Sequence, residues 1–402
     1  MSHRRMGMGL VGPGFIAPHH IDAVRRLGDV DIIGIAGSSP ESAARKAAEF
    51  KIPRSFASYQ ELVEDPAIDV VHNTTPNYLH LPVTLAALKA GKHVISDKPL
   101  AMTPAECRLL CDAAEAAGVV NAVTFNYRGN ALVQEARARI AHGEIGDLVY
   151  IHGQYLQDWM TDENVYSWRM DTDKGGMSSA LADIGSHWCD LAEHMTGSRI
   201  VSVLADINTV VQTRYSSGAS SEAFGRGSGG ERHPVAVNGE DLGTVLLRFE
   251  NGARGCLKVG QVLAGHKNDL QLEVNGRTGS LRWQQEQQND LWLGRYDGPN
   301  GLLMKDPDLI GPEAKRYAHL PGGHQESWGD AFRNVIADAY SYIRNGGTGP
   351  KPPTLCTFAD ATRTGILIDA MLRSAAEGNV WKQIEETSIT SPEVFVAAPA
   401  IA

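Results

Sequence analysis

Val11-Gly12-Pro13-Gly14-Phe15-Ile16-Ala17 joins a short apolar run, Met8 to Val11, to an amphipathic segment, Phe15 to Leu27. It fits G-x-G-x-x-[GA] and lies after a strand and before a helix, where that spacing has a mechanism. Gly12 lets the chain turn tightly and Gly14 lets backbone approach a pyrophosphate. Ala17 is small enough for close helix–strand packing, and the helix start offers free N–H groups to phosphate. A lone match is weak; the strand–turn–helix context makes Gly12, Gly14, Phe15 and Ile16 the candidate cradle of a dinucleotide.

The same grammar continues on both sides of this turn. Val30 to Ala36, Ile68 to Asn73, His93 to Ser96 and Val119 to Phe125 are strand patterns. Helical patterns at Pro40 to Phe50, His80 to Ala90 and Thr103 to Ala117 separate them, the last with Thr103 as N-cap, Pro104 in the first turn and Gly118 beyond its end. Alternation with such short connections predicts a parallel sheet covered by helices on both faces, a Rossmann dinucleotide-binding domain over residues 1–126. An acid that binds ribose hydroxyls belongs at the end of the second strand. The chain instead reads Ala36-Gly37-Ser38-Ser39. Without a carboxylate, Ser38 and its neighbours Ser39, Arg45 and Lys46 suit either an unphosphorylated ribose or a 2′-phosphate, so the cofactor is NAD or NADP.

From about residue 126 the pattern changes. A helix, Ala131 to His142, precedes period-two runs at Leu148 to Gln154, Val201 to Thr209, Gly243 to Glu250, Ala253 to Val262, Leu270 to Val274 and Gly279 to Trp283. Asn251-Gly252 and Asn275-Gly276 are hairpin turns. Residues 127–385 are therefore expected to form an α+β domain on a mostly antiparallel open sheet. Late helices at Trp328 to Arg344 and Thr357 to Glu377 close it, and 386–402 form a tail. Arg214 to His233, rich in Ser, Gly and charge, reads as a mobile surface loop. Val245, Leu247 and Phe249 alternate with Leu246, so both sheet faces carry apolar side chains, and packing through this sheet into a homodimer or homotetramer is expected.

The 402 residues suit two or three domains. Forty-seven acids against 37 Lys plus Arg leave a net charge of −10, which disfavours nucleic acid and anionic membrane as partners. No apolar stretch is long enough to span a bilayer. Five scattered cysteines without C-x-x-C suit a reducing, cytoplasmic setting; Cys107 and Cys111, four apart, read as two small thiols on a helix face.

Two further segments carry chemistry. Asp97-Lys98-Pro99 follows a strand at the carboxyl edge of the parallel sheet, where ligands of such sheets bind. Asp183-Ile184-Gly185-Ser186-His187 sets a carboxylate and an imidazole four apart on one helix face, either as chemistry or as a buried Asp–His hydrogen bond. Asp190 and His194 extend that polar stripe, opposite Ile184, Trp188, Leu191 and Met195. Asp183, His187 and His194 can be forced into a metal set but lack a fourth ligand, and no metal is expected.

VGPGFIA (11–17), TPNYLH (75–80), AGKHVISDKPLA (90–101) and ADIGSHWCDL (182–191) together resemble the Gfo/Idh/MocA family. The likeness runs from Met6 to about Ile384, with Asp97-Lys98-Pro99 where that family usually has Glu-Lys-Pro. It implies Lys98, Asp183 and His187 as the catalytic set, and cofactor contacts near Thr75, Asn77, His80, Asp97, Lys98 and Asn126. YLQDWM (155–160), YSWRMD (166–171) and PGGHQESW (321–328) resemble members that oxidise pyranoside or cyclitol hydroxyls. Read as chemistry, Tyr155, Gln157, Trp159, Trp168, Arg169 and His324, with Asp183 and His187, mix aromatic faces and donors suited to a polyhydroxylated ring. The expected function is NAD(P)-dependent oxidation of a secondary hydroxyl of a sugar, glycoside or cyclitol. The alternatives are glycoside modification on tightly held NAD without net oxidation, and a dinucleotide sensor. His187 is the expected base, since imidazole titrates near working pH; Asp183 would orient, and Lys98 would stabilise charge on oxygen. A lysine base remains the competing assignment.

Overall fold

Strands β1 (Met6–Val11), β2 (Val30–Ala36), β3 (Ser55–Phe56), β4 (Val70–Asn73), β5 (His93–Ser96) and β6 (Asn121–Val123) form one parallel sheet in the order β3-β2-β1-β4-β5-β6. These observations come from a computed structural model, which describes residues 4–216 and 231–385. The strand order reverses between β1 and β4, where Val11 lies beside Asn73, opening a crevice at their carboxyl ends. Local chemistry sets the helices as read: Ser39 accepts from Ser42 N at the start of Pro40–Phe50, and Thr103 and Glu106 form a capping box ahead of Pro104–Ala117. The helix Trp328–Arg344, from the far end of the chain, packs Phe332, Ile336, Ala339 and Tyr340 into the core around Met8, Leu10 and Ile21.

The second sheet has nine strands. They are β7 (Leu148–Leu156), β8 (Ile200–Asn208), β11 (Leu242–Phe249), β12 (Arg254–Gly260), β13 (Asp269–Gly276), β14 (Gly279–Gln284), β15 (Asp290–Arg295), β16 (Gly301–Met304) and β17 (Lys382–Gln383), ordered β16-β15-β14-β13-β7-β12-β11-β8-β17. β11 with β12 and β13 with β14 form antiparallel hairpins. Asn251-Gly252 lies in the first turn, whereas Asn275 and Gly276 are the last residues of β13 and the second turn follows them at Arg277 and Thr278. One pair departs from the hairpin grammar: β7, which follows the helix Ala131–Ala141, lies between β12 and β13, parallel to the first and antiparallel to the second. Val245, Leu247 and Phe249 are buried under the helices Ala131–Ala141, Ser186–Thr196 and Phe358–Ala376, while Leu246 on the other face is 43% exposed.

The stretch read as a loop from Arg214 to His233 is ordered at both ends. β9 (Thr213–Ser216) and β10 (His233–Ala236) pair as an antiparallel ribbon. Arg214 is buried and donates to the carbonyls of Met160, Asp162 and Val165. Three main-chain acceptors can anchor a charged side chain that composition alone places at the surface. The remainder of that loop, and the expected tail 386–402, lie outside the described residues.

Candidate active site

The glycine turn fits a dinucleotide. Gly12 has φ +90°, and a Cβ there would stand 2.6 Å from Thr75 N; around Gly14 nothing lies within 4 Å of that position. Gly12 thus packs β1 against the β4 loop, and Gly14 leaves backbone open to an approaching phosphate. From this turn a continuous cavity of about 1210 Å³ runs between the two domains. Ser38 and Ser42 line one end, and Thr75, Asn77, Asp97, Lys98 and Asn126 its middle. Asn77 Nδ2 reaches across to Gly175 O at 2.9 Å, tying the domains together. Asp97 accepts from Thr124 Oγ1 at 2.8 Å. Asn126 is buried with its Nδ2 unpartnered, a donor that a bound molecule can use.

His80 was expected beside the cofactor and is not in the cavity wall. Its ring is buried between two backbone carbonyls, Nδ1 2.6 Å from Pro99 O and Nε2 2.8 Å from Thr75 O, and so clamps two cavity loops from behind. His324 is likewise displaced from the expected sugar pocket. It is exposed, with Nδ1 3.3 Å from Gly322 O, because Glu326, accepting from Lys305, His319 N and Leu320 N, pulls the segment after it inward instead.

Lys98 and Asp183 meet at the centre. Lys98 Nζ donates to Asp183 Oδ1 and to its main-chain O, both at 2.7 Å. Gln261 Nε2 donates to Oδ2 at 2.8 Å, and Arg169 Nε stands 3.6 Å from Oδ1. Burial alone would raise the Asp183 pKa, but the Lys98 and Arg169 charges and these hydrogen bonds outweigh it and hold the carboxyl well below the usual range. Asp183 therefore spends its carboxylate on Lys98 and Gln261, not on the Asp–His hydrogen bond allowed by its spacing. Leu181–Gly185 is also a wider π turn, with Ser186 N bonded to Leu181 O, ahead of the helix Ser186–Thr196.

His187 is buried with Nδ1 unpartnered, edge-on to Phe125 and Tyr127 at ring separations of 5.4 and 5.1 Å. Burial and the Lys98 charge, only partly offset by Asp183, push its pKa well below 6.5. The imidazole is neutral at neutral pH, the form that can take up a proton. The helix carrying it seats deep on the sheet because residue 153 is glycine: a Cβ there would stand 2.7 Å from Trp188 Nε1 and 1.9 Å from Gln271 O. Asp190 and His194, read as extending the polar stripe, both find protein partners. Asp190 pairs with buried Arg128 at 2.8 and 2.5 Å, and His194 meets Gln134 at 2.9 Å.

Beyond His187 the cavity wall is aromatic and amide. Tyr155 OH lies 2.7 Å from Tyr127 OH and donates to Asn268 Oδ1 at 2.6 Å, while Gln157 Oε1 accepts from Trp159 Nε1 at 3.0 Å. The Arg169 guanidinium stacks 4.7 Å over the Trp168 ring. Tyr155, Gln157, Trp159, Trp168 and Arg169 all line the cavity, as expected. Sequence reading missed Tyr127, Asn268 and Gln261. Tyr127 adjoins Asn126 and could have been drawn from it; Gln261, just past the end of β12, and Asn268, just ahead of β13, have nothing local to mark them. Among the described residues, no group of three His, Cys, Asp or Glu side chains stands together as a metal site, and no helix is long and apolar enough to cross a membrane.

Comparison with known proteins identifies the family. Residues 6–125 match the model of the oxidoreductase family with an NAD-binding Rossmann fold, and residues 133–282 match the GFO/IDH/MocA C-terminal domain. Levoglucosan dehydrogenase of Pseudarthrobacter phenanthrenivorans is 33% identical over 96% of this chain and its own full length. A solved levoglucosan dehydrogenase complexed with NADH and levoglucosan superposes with a TM-score of 0.83 at 28% identity, over 94% of this chain and 99% of that one. An inositol dehydrogenase homologue from Azotobacter vinelandii, at 24% identity, shares the fold with a TM-score of 0.82 over 95% of this chain and 98% of its own. The glycine turn, the two-domain cavity and these relationships together establish that the chain belongs to the Gfo/Idh/MocA family and is an oxidoreductase with an NAD-binding Rossmann domain.

Proposed function

We propose that the protein oxidises a secondary ring hydroxyl of a sugar, anhydrosugar, glycoside or cyclitol, with Lys98, Asp183 and His187 as the residues that act on it. One observation carries the reading: a single cavity joins the glycine turn to a wall of Tyr, Trp, Gln, Asn and Arg side chains, with these three residues between. Aromatic faces and paired amides suit the C–H and O–H surfaces of a polyhydroxylated ring. The similarity to levoglucosan dehydrogenase supports the same substrate class.

NAD, when bound, supplies the acceptor for the hydride leaving the carbinol carbon. His187, neutral and lining the cavity, takes the hydroxyl proton as the carbonyl forms. Lys98, fixed by Asp183, places its ammonium where negative charge develops on that oxygen. Asp183, itself held by Gln261, keeps the lysine in register with the hydroxyl. Free thiols at all five cysteines support a reducing, cytoplasmic location. The uncovered sheet face supports a homo-oligomer: Leu204, Leu246, Cys256 and His152 form one row across β8, β11, β12 and β7.

A panel of sugars and cyclitols, assayed with NAD and NADP by absorbance at 340 nm, tests the reading. Substrate-dependent reduction of free cofactor is expected; product formation without it would instead indicate glycoside modification without net oxidation. His187→Ala is expected to lower turnover about a hundred- to ten-thousandfold while NADH still binds. Lys98→Met should also slow turnover but keep the limb of the pH profile that reports the base. If that limb survives in His187→Ala and vanishes in Lys98→Met, the two roles are exchanged.

A further inference from the structure

Asp183 meets Lys98 with two atoms at once, its carboxylate and its own carbonyl. An ordinary α-helical turn bonds the carbonyl of residue 183 to the amide of residue 187. The wider ring closed by Ser186 N and Leu181 O disturbs that ladder, and the Asp183 carbonyl accepts from the lysine. Such turns are less favourable than α-helix and persist where neighbours hold them, often at functional sites. What holds this one is outside the cavity. Glu240 is 3% exposed, and its single Oε1 atom accepts from Ser178 Oγ at 2.7 Å, Ser179 N at 3.0 Å and Leu181 N at 2.8 Å. Its main chain also accepts from Ala180 N at 3.0 Å. Ser178 Oγ in turn accepts from Ala182 N at 3.0 Å.

The otherwise unsatisfied amides that begin this turn are therefore drawn to one carboxylate oxygen, where a negative charge also complements the helix dipole. The next residue extends the arrangement to the other side of Asp183. Asp241 O accepts from Gln261 N at 2.9 Å, and Gln261 Nε2 donates to Asp183 Oδ2. We infer that Glu240 is a positioning residue: it fixes the wide turn that presents both acceptor atoms of Asp183 to Lys98, without touching the cavity. The inference rests on the proposed oxidation for its consequence in turnover, and on geometry alone for its effect on Lys98.

Two measurements test it on the full-length protein. In the first, the Lys98 amine is acylated with trace acetic anhydride and its labelling rate is compared by mass spectrometry with that of exposed Lys89. Glu240→Ala is expected to raise the Lys98 rate at least threefold, because the lysine loses its fixed acceptors. In the second, the same variant is expected to lose at least tenfold in kcat, with the KM for NAD within twofold of the parent. Glu240→Gln, whose amide oxygen can accept from the same three donors, should restore both to within threefold. If Glu240→Ala does not fold, Ser178→Ala removes one of the three donors and should raise Lys98 labelling at least twofold. Unchanged Lys98 labelling in a folded Glu240→Ala or Ser178→Ala protein overturns the inference. So does a fall in kcat accompanied by an equal weakening for NAD, which marks general structural damage. A parent that oxidises no ring hydroxyl overturns the proposed function instead, and leaves the labelling result to decide the role of Glu240.

Discussion

Ser38 stands where a Rossmann domain commonly has a ribose-binding acid, and it faces the cavity beside Ser42. Arg45 Nη2 lies 3.5 Å from Ser42 Oγ, one turn into the helix Pro40–Phe50. A cation and two hydroxyls at that end tolerate a 2′-phosphate, whereas a carboxylate would repel it. Ser38→Asp is expected to weaken NADP binding at least tenfold more than NAD binding, read by fluorescence titration with the reduced cofactors. Equal losses for both would place the ribose elsewhere. Position 38 is the better site for this change than Gly37, where a Cβ would stand only 3.0 Å from Ala43 N.

Two elements of the first domain and the helix Trp328–Arg344 meet through a buried polar line. His20 Nδ1, on the helix Ala17–Leu27, lies 2.9 Å from His72 Nδ1 on β4, and His72 Nε2 lies 3.0 Å from Tyr340 OH on the helix Trp328–Arg344. Burial, joined for His20 by the facing ring of His72, pushes both pKa values down to about 3. One hydrogen bond between two Nδ1 atoms needs one proton, and two imidazolium ions would repel. Unfolded rings protonate near 6.5, so between that value and about 3 the unfolded chain binds more protons than the folded one. Stability is therefore full above 6.5 and falls as pH drops through this window, by roughly 1 kcal/mol per pH unit for each ring. Melting temperatures between pH 6.5 and 4.5 should show this slope, and the double variant His20→Asn/His72→Asn should flatten it. A slope unchanged in the double variant would assign the acid sensitivity to carboxylates alone.

The nine-stranded sheet is covered by helices on one face and open on the other. Leu246 on β11, at 43% exposure, and Tyr150 on β7, at 37%, share the open face with Cys256 and His152. The cation–π pair of Arg282 with Trp292, 5.0 Å apart, sits farther along it. A broad surface mixing apolar side chains with paired charges is suited to isologous association. Light scattering at micromolar concentration is expected to give a dimer or tetramer. Leu246→Glu should shift that equilibrium towards monomer while the circular dichroism spectrum stays that of the parent. A parent that is already monomeric removes the idea.

The amino-acid sequence by itself determined the first domain almost strand by strand. Its signals are local there: β-branched runs, caps at Ser39 and Thr103, and a glycine turn whose φ and packing admit no Cβ at Gly12. It also singled out Lys98, Asp183, His187, Tyr155, Gln157, Trp159, Trp168 and Arg169, which line one cavity. Tertiary structure decided how they pair. The Lys98–Asp183 contact joins residues 85 apart, and no spacing on one helix reveals that the carboxylate prefers a distant ammonium to the imidazole one turn away. Distant partners also decided that Arg214 is buried on three carbonyls, that His80 clamps loops behind the cavity, that His324 faces outward, and that β7 runs parallel to β12. Periodicity records which face of an element is apolar; burial, charge and hydrogen bonding between separate elements determine what each polar side chain meets there.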